Sequence, residues 1–225
     1  MINKLRFPMI LVNFKAYKEA FGTRGFEIAK ACFDVAKKQK ITIGVAVPFT
    51  EINKISKLKI PLFAEHFDPG SLGAHTGYTP IQAIIENGAM GSLINHSEHP
   101  MSLDKIKEAV KETKKNKIIS VVCVPDQKIL EKVVLFKPDI VALESPKLIG
   151  GKNAISKEMP QAIRKAAKTA REHSIDFLCG AGIHSMSDAK KAIEEGSDGI
   201  LIASSVMKAK NPSDVLTKLC SGLKG

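Results

Sequence analysis

Eight short apolar runs alternate with eight longer amphipathic segments along 225 residues, and this pattern predicts an α/β fold, a parallel (β/α)8 barrel. Two further observations sharpen that reading. The runs are near-continuously apolar rather than alternating, so the sheet is covered on both faces. No linker, low-complexity tract or composition shift divides the chain, so residues 1–225 read as a single catalytic domain. An open, doubly wound sheet built from the same units is the alternative.

The units follow in order. Met9–Val12 is the first run, and Thr23–Lys38 has helical spacing, with Phe26, Ala29, Phe33 and Ala36 on one stripe. Ile41–Val47 is the second run, stopped by Pro48, with a short helix near Glu51–Ser56. Leu62–Ala64 is the third, followed by a glycine-rich loop, Gly70–Gly77, and a helix near Pro80–Asn87. Ser92–Ile94 is the fourth, and Ser102 is placed to cap a helix over Leu103–Lys115. Ile118–Val124 is the fifth, with a helix near Gln127–Val134. Ile140–Leu143 is the sixth, followed by a helix from Ser156 to about His173 with Pro160 in its first turn. Phe177–Cys179 is the seventh, with Ser187 expected to cap a helix ending at Glu194. Gly199–Ile202 is the eighth, leading through Ala203-Ser204-Ser205 to a helix near Pro212–Leu223.

Composition excludes several classes of function. Hydrophobic residues make up 44% and charged residues 25%, which suits a globular protein, and no apolar run approaches a membrane span. The N-terminus lacks a signal-peptide apolar region, and four widely spaced cysteines form no C-x-x-C pair. A reducing, cytoplasmic setting is expected. Net charge is +11, nearly all from lysine, yet the lysines are not interleaved with aromatic residues and no nucleic-acid-binding motif is present. They read as solvated helix faces. Their field also favours small anions.

In a (β/α)8 barrel the chemistry sits at the C-terminal strand ends. Asp139–Lys152 there combines a buried strand, a carboxylate (Glu144) and a loop with two adjacent glycines, a suitable place for a proton-transferring base. Strand one ends in Asn13-Phe14-Lys15, whose alternation sends Asn13 and Lys15 to the same side. Strand three ends in Glu65 and His66, and strand four in Asn95, His96 and Glu98. His96, Glu98 and His99 superficially resemble a metal cluster, but the spacing is not H-E-x-x-H, so no metal is expected. Gly180 and Gly182 after strand seven, with Ala203 and Ser204 after strand eight, fit a phosphate cradle, because glycine lets backbone N–H groups approach an anion.

Taken together, in order and spacing, these motifs resemble the triosephosphate isomerases, and the archaeal branch in particular. The residues that carry the likeness are Asn13-Phe14-Lys15, His75-Thr76-Gly77, Asn95–Glu98, Glu144–Gly150, Cys179–Ile183 and Ala203-Ser204. The resemblance implies a TIM barrel that interconverts dihydroxyacetone phosphate and D-glyceraldehyde 3-phosphate through an enediol(ate), in glycolysis and gluconeogenesis. It implies Glu144 as base, His96 as hydrogen-bond donor and proton shuttle, Lys15 as the cation that offsets phosphate and enediolate charge, and Asn13 as an orienting group. It implies backbone contacts to phosphate near Ile149, Gly182, Ala203 and Ser204, a lid over Ser145–Gly151, no cofactor, and a homodimer or homotetramer with His75-Thr76-Gly77 inserted near a neighbour's site.

The chain departs from the family in four respects. It is short for this fold, so abbreviated helices are expected, and it has no tryptophan. Ser145 stands where archaeal relatives usually have a proline, and Ser205 where a glycine is usual. Two other functions share parts of the pattern. A glycerol-phosphate prenyltransferase would share the cradle but would need Mg²⁺ and acidic ligands. An inactive barrel serving as a binding module would not need the Lys15–His96–Glu144 set.

Overall fold

The computed structural model describes residues 5–144 and 159–224. Eight strands form one closed parallel barrel in sequence order: β1 (Met9–Asn13), β2 (Thr42–Val47), β3 (Leu62–Ala64), β4 (Gly91–Ile94), β5 (Ile119–Val124), β6 (Ile140–Leu143), β7 (Asp176–Gly180) and β8 (Gly199–Ile202). Closure comes from β1, which pairs with β2 on one edge (Met9 opposite Thr42) and with β8 on the other (Met9 opposite Gly199). The open, doubly wound alternative is thereby excluded. A closed sheet leaves no unpaired edge.

Side chains alternate between two cores, as the two-residue period of a strand requires. Met9, Leu11, Ala46, Phe63, Leu93, Val121, Ile140, Ala142, Leu178 and Leu201 fill the barrel interior. Their neighbours, such as Ile10, Val12, Val45, Val122, Val141 and Ile202, pack outward against the helices. Both strand faces are therefore dry, which explains the uninterrupted apolar runs. Gly199 is required by close packing: a side chain there would meet the backbone oxygen of Met9 at 2.3 Å.

The helices are α1 (Gly22–Gln39), α2 (Phe49–Ile55), α3 (Ile81–Glu86), α4 (Leu103–Asn116), α5 (Gln127–Val133), α6 (Pro160–Glu172), α7 (Met186–Glu194), α8 (Ser204–Met207) and α9 (Pro212–Leu223). The abbreviation expected of a short chain falls on α2, α3 and α5, each two turns or fewer. Ser102 caps α4 as expected, accepting from the N–H of Lys105. The expected cap at Ser187 is corrected. Ser185 caps α7 in a reciprocal capping box with Asp188, which leaves Ser187 inside the first turn. Pro160 does open α6, preceded by Met159; Ser156, the expected cap, lies outside the described residues. Helix α8 was not foreseen, since four residues are too few to show a period. No helix among the described residues is long and apolar enough to cross a membrane.

Candidate active site

Strand parity sets the top layer of the barrel. Residues in step with Met9 and Leu11, with Val121, with Ile140 and Ala142, and with Leu178 face inward. Continued upward, that parity brings Asn13, Cys123, Glu144 and Gly180 to the C-terminal mouth. Asn13 is 4% exposed and Glu144 7%, so both polar groups are held out of water.

Burial is the largest influence on Glu144 and raises its pKa above the ordinary carboxylate value; the charges of His96 and Lys15 and a hydrogen bond from the Cys123 thiol act in the opposite direction. A buried carboxylate poised in this way is a stronger base than one in water. Two cavities flank it. One is lined by Asn13, Lys15, Gly182, Ala203 and Ser204 among others. The other is lined by Asn95, Ser97, Cys123 and Pro125.

His96 reaches the site because β4 stops alternating. Asn95 adopts a left-handed φ of 61°. Its side chain donates to the Cys123 carbonyl (2.9 Å) and accepts from the Met101 N–H (2.8 Å), which secures the turn. The ring of His96 is 6% exposed and its Nε2 lies 3.2 Å from Glu144 Oε2. The two atoms are not aligned for a hydrogen bond, and neither has a hydrogen-bond partner among the described residues. On the other side of the ring, Nδ1 accepts the backbone N–H of Glu98 at 3.2 Å. Glu98 Oε2, at 3.6 Å, is beyond hydrogen-bond range of the same nitrogen. A lone pair on Nδ1 places the proton of a neutral ring on Nε2, on the side of Glu144.

Lys15 lies at the site for a different reason from the one expected. The alternation ends at Asn13; Lys15 sits beyond the strand with a φ of 52°. Its N–H donates to Asn13 Oδ1 (3.1 Å), so the strand-end asparagine secures the turn that aims the lysine. The Lys15 side chain is 11% exposed, and its ammonium pairs with Glu98 Oε1 at 2.8 Å.

The opposite wall of the first cavity is backbone-rich. Ala181 and Gly182 both have positive φ, 75° and 71°, and Ala203 precedes the single turn of α8. Successive backbone N–H groups in a turn can form a concavity that suits an anion. Gly182, Ala203 and Ser204 all line this cavity, together with Tyr17, His184 and Ser205, which were not anticipated from the sequence. Ile149 and the lid Ser145–Gly151 lie outside the described residues.

Gly180 has a role other than the cradle expected of it. It is not among the cavity-lining residues and instead packs against Glu144. Cys123 meets Glu144, and the inward parity of β5 is the sequence signal for that contact. His99 packs against His66, with ring centres 4.1 Å apart and planes tilted by 42°, rather than joining His96 and Glu98 in a cluster.

A barrel whose mouth holds a buried carboxylate and a cation lining one cavity, with an imidazole set against the carboxylate, belongs to a class: an enzyme that moves protons on a small anionic substrate. Comparison with known proteins supplies the particular family. The family model described as triosephosphate isomerase matches residues 8–222. Curated relatives named triosephosphate isomerase include one from Sulfurisphaera tokodaii, 41% identical over 211 residues (93% of this chain, 92% of the relative). Another, from Methanobrevibacter smithii, is 38% identical over 219 residues (96% and 99%). The fold is also that of a crystal structure of triosephosphate isomerase from Bartonella henselae, with a TM-score of 0.75 at 16% identity, covering 97% of this chain and 99% of that one. The chain belongs to the triosephosphate isomerase family, as its motifs suggested.

Proposed function

We propose that Glu144, His96 and Lys15 are the catalytic groups with which this isomerase interconverts dihydroxyacetone phosphate and D-glyceraldehyde 3-phosphate. Glu144 takes a proton from one substrate carbon and returns it to the neighbouring one through an enediol(ate). The Nε2–H of His96 donates to the carbonyl oxygen and shuttles protons between the two oxygens. A glutamate base beside a neutral histidine electrophile is the general pattern of catalysis in this family, and it supports the assignment of Glu144 and His96. Lys15 offsets phosphate and enediolate charge, and Asn13 orients both the lysine turn and the substrate. Gly182, Ala203 and Ser204 contribute backbone groups to the phosphate, with Ile149 expected beside them.

The observation that carries this reading is the pairing of His96 Nε2 with Glu144 Oε2 at 3.2 Å, both buried and both without a hydrogen-bond partner among the described residues. Buried polar atoms are normally satisfied, so two orphans set against each other at the barrel mouth are set for a ligand. The family match does not favour a prenyltransferase or an inactive module. Residues 1–225 are read as one domain in the cytoplasm, with no organic cofactor or metal assigned and no nucleic-acid partner. Self-association is supported by the loop from 70 to 79, where Leu72 is 64% and Tyr78 57% exposed and His75 stacks on Tyr78 at 5.1 Å. A homodimer or homotetramer would cover it.

The test is turnover of glyceraldehyde 3-phosphate by the purified chain with EDTA present. Turnover is expected. Its absence under those conditions would overturn the reading.

A further inference from the structure

Glu65 stands in the same inward register as Phe63 of β3, one step above it, at the mouth of the barrel. Its N–H donates to the Val47 carbonyl at 3.2 Å, which fixes it at the end of the strand. Its carboxyl group faces the backbone N–H of Lys15, which Asn13 Oδ1 also accepts at 3.1 Å, and Oε1 is buried with no partner among the described residues. The charged groups that face it are Lys15, from the turn after β1, and Glu98, from the turn after β4. His66, next along the chain, is engaged elsewhere, 3.2 Å from Asp68. The reaction as proposed makes no use of Glu65.

From this geometry we infer that Glu65 is a positioning residue that works in its neutral, protonated form: it supports the Lys15 turn without cancelling the lysine's charge. The inference rests on the reading of Lys15 as the cation of the phosphate end. Lys15 already has one carboxylate neighbour, Glu98, at 2.8 Å and open to solvent. The Glu144 carboxylate also feels the lysine's charge, so an ionised Glu65 would add a third negative charge around one positive one. That arrangement repels a phosphate dianion. Burial lifts the Glu65 pKa to about 8, opposed by the Lys15 backbone bond and the Lys15 charge, and aided by the Glu98 charge. The acid form therefore prevails at neutral pH, and the anion appears in mildly alkaline solution. The phosphate of the substrate has its second pKa at about 6 and stays dianionic through that range, so the change belongs to the protein.

The measurement is KM and kcat for glyceraldehyde 3-phosphate from pH 7 to 9, on the wild type, Glu65→Gln and Glu65→Leu. In the wild type KM is expected to rise about tenfold across a midpoint near 8, with kcat changing much less. Glu65→Gln imitates the neutral acid and is expected to hold its KM flat from pH 7 to 9. Glu65→Leu loses the bond to the Lys15 turn and is expected to raise KM at every pH. A flat wild-type KM, or the same alkaline rise in Glu65→Gln, overturns the inference while leaving the isomerase reading intact. If the wild type shows no turnover at pH 7, the isomerase reading fails instead, and sulfate binding by calorimetry decides the role of Glu65. Sulfate is a dianion throughout the range. Proton uptake on sulfate binding near pH 8 in the wild type and none in Glu65→Gln supports it; equal uptake in both, or none in the wild type, overturns it.

Discussion

A first side-chain carbon built on Gly180 would lie 2.5 Å from Cγ of Glu144 and 3.1 Å from its Oε1. No ordinary contact is that short, and Glu144 is enclosed, so it has little room to move aside. The glycine at the end of β7 thus makes room for the carboxylate at the end of β6.

Gly180→Ala should therefore displace the base. A shift of about 1 Å in a reacting group costs on the order of 100-fold in rate. Steady-state kinetics should show kcat reduced by about that factor, with KM changed only a few-fold. A kcat within threefold of wild type would mean that Glu144 is not held by this contact.

Glu144→Asp tests the same carboxylate from its own side. The shortened arm draws the base away from the substrate carbon while leaving the phosphate end untouched. We expect kcat to fall by about 100- to 1,000-fold and KM to stay within about threefold. Equal losses in both parameters would mark Glu144 as structural.

Glu144→Gln should be inactive yet more stable than the wild type at neutral pH. The folded-state pKa of Glu144 is raised, chiefly by burial, so the folded protein binds its proton more tightly than the unfolded chain does. The stability associated with that proton is fully present below the ordinary carboxylate pKa and is lost as pH rises through the folded value. At pH 7–8 the wild type bears this loss and the amide does not. Melting temperatures should differ by about 2–4 °C in favour of the variant at pH 7–8, and the gap should close toward pH 4. A gap that widens on acidification would contradict the assignment.

Lys15→Ala should nearly abolish turnover, by at least about 1,000-fold in kcat/KM, because the phosphate end loses its cation. The same variant frees Glu98, which is mostly exposed, so stability should change by less than about 1 kcal/mol. Activity within a few-fold of wild type would make Lys15 an ordinary surface residue.

Much of this site was legible in the sequence, because a strand imposes a period of two and a run of strands imposes a barrel. That period alone brings Asn13 and Glu144 inward, and it would equally have brought Cys123 and Glu65 inward had it been followed to the strand ends. The eight runs, the cap at Ser102 and the proline opening α6 are likewise local signals with local causes.

The remainder depended on turns and on closure. His96 faces Glu144 only because Asn95 takes a left-handed conformation that asparagine tolerates but does not announce. Lys15 is aimed by a backbone bond to Asn13 Oδ1, not by the alternation that seemed to place it. The cap of α7 fell to Ser185 rather than Ser187, since only Ser185 completes a reciprocal box with Asp188. Gly180 meets Glu144, and Glu65 meets Lys15, across strands whose relative stagger is set when the sheet closes. The sequence by itself determined which residues point inward, because alternation is a property of each strand's own backbone. Which of those residues touch was decided by the tertiary structure, because contact between strands depends on register around the whole ring.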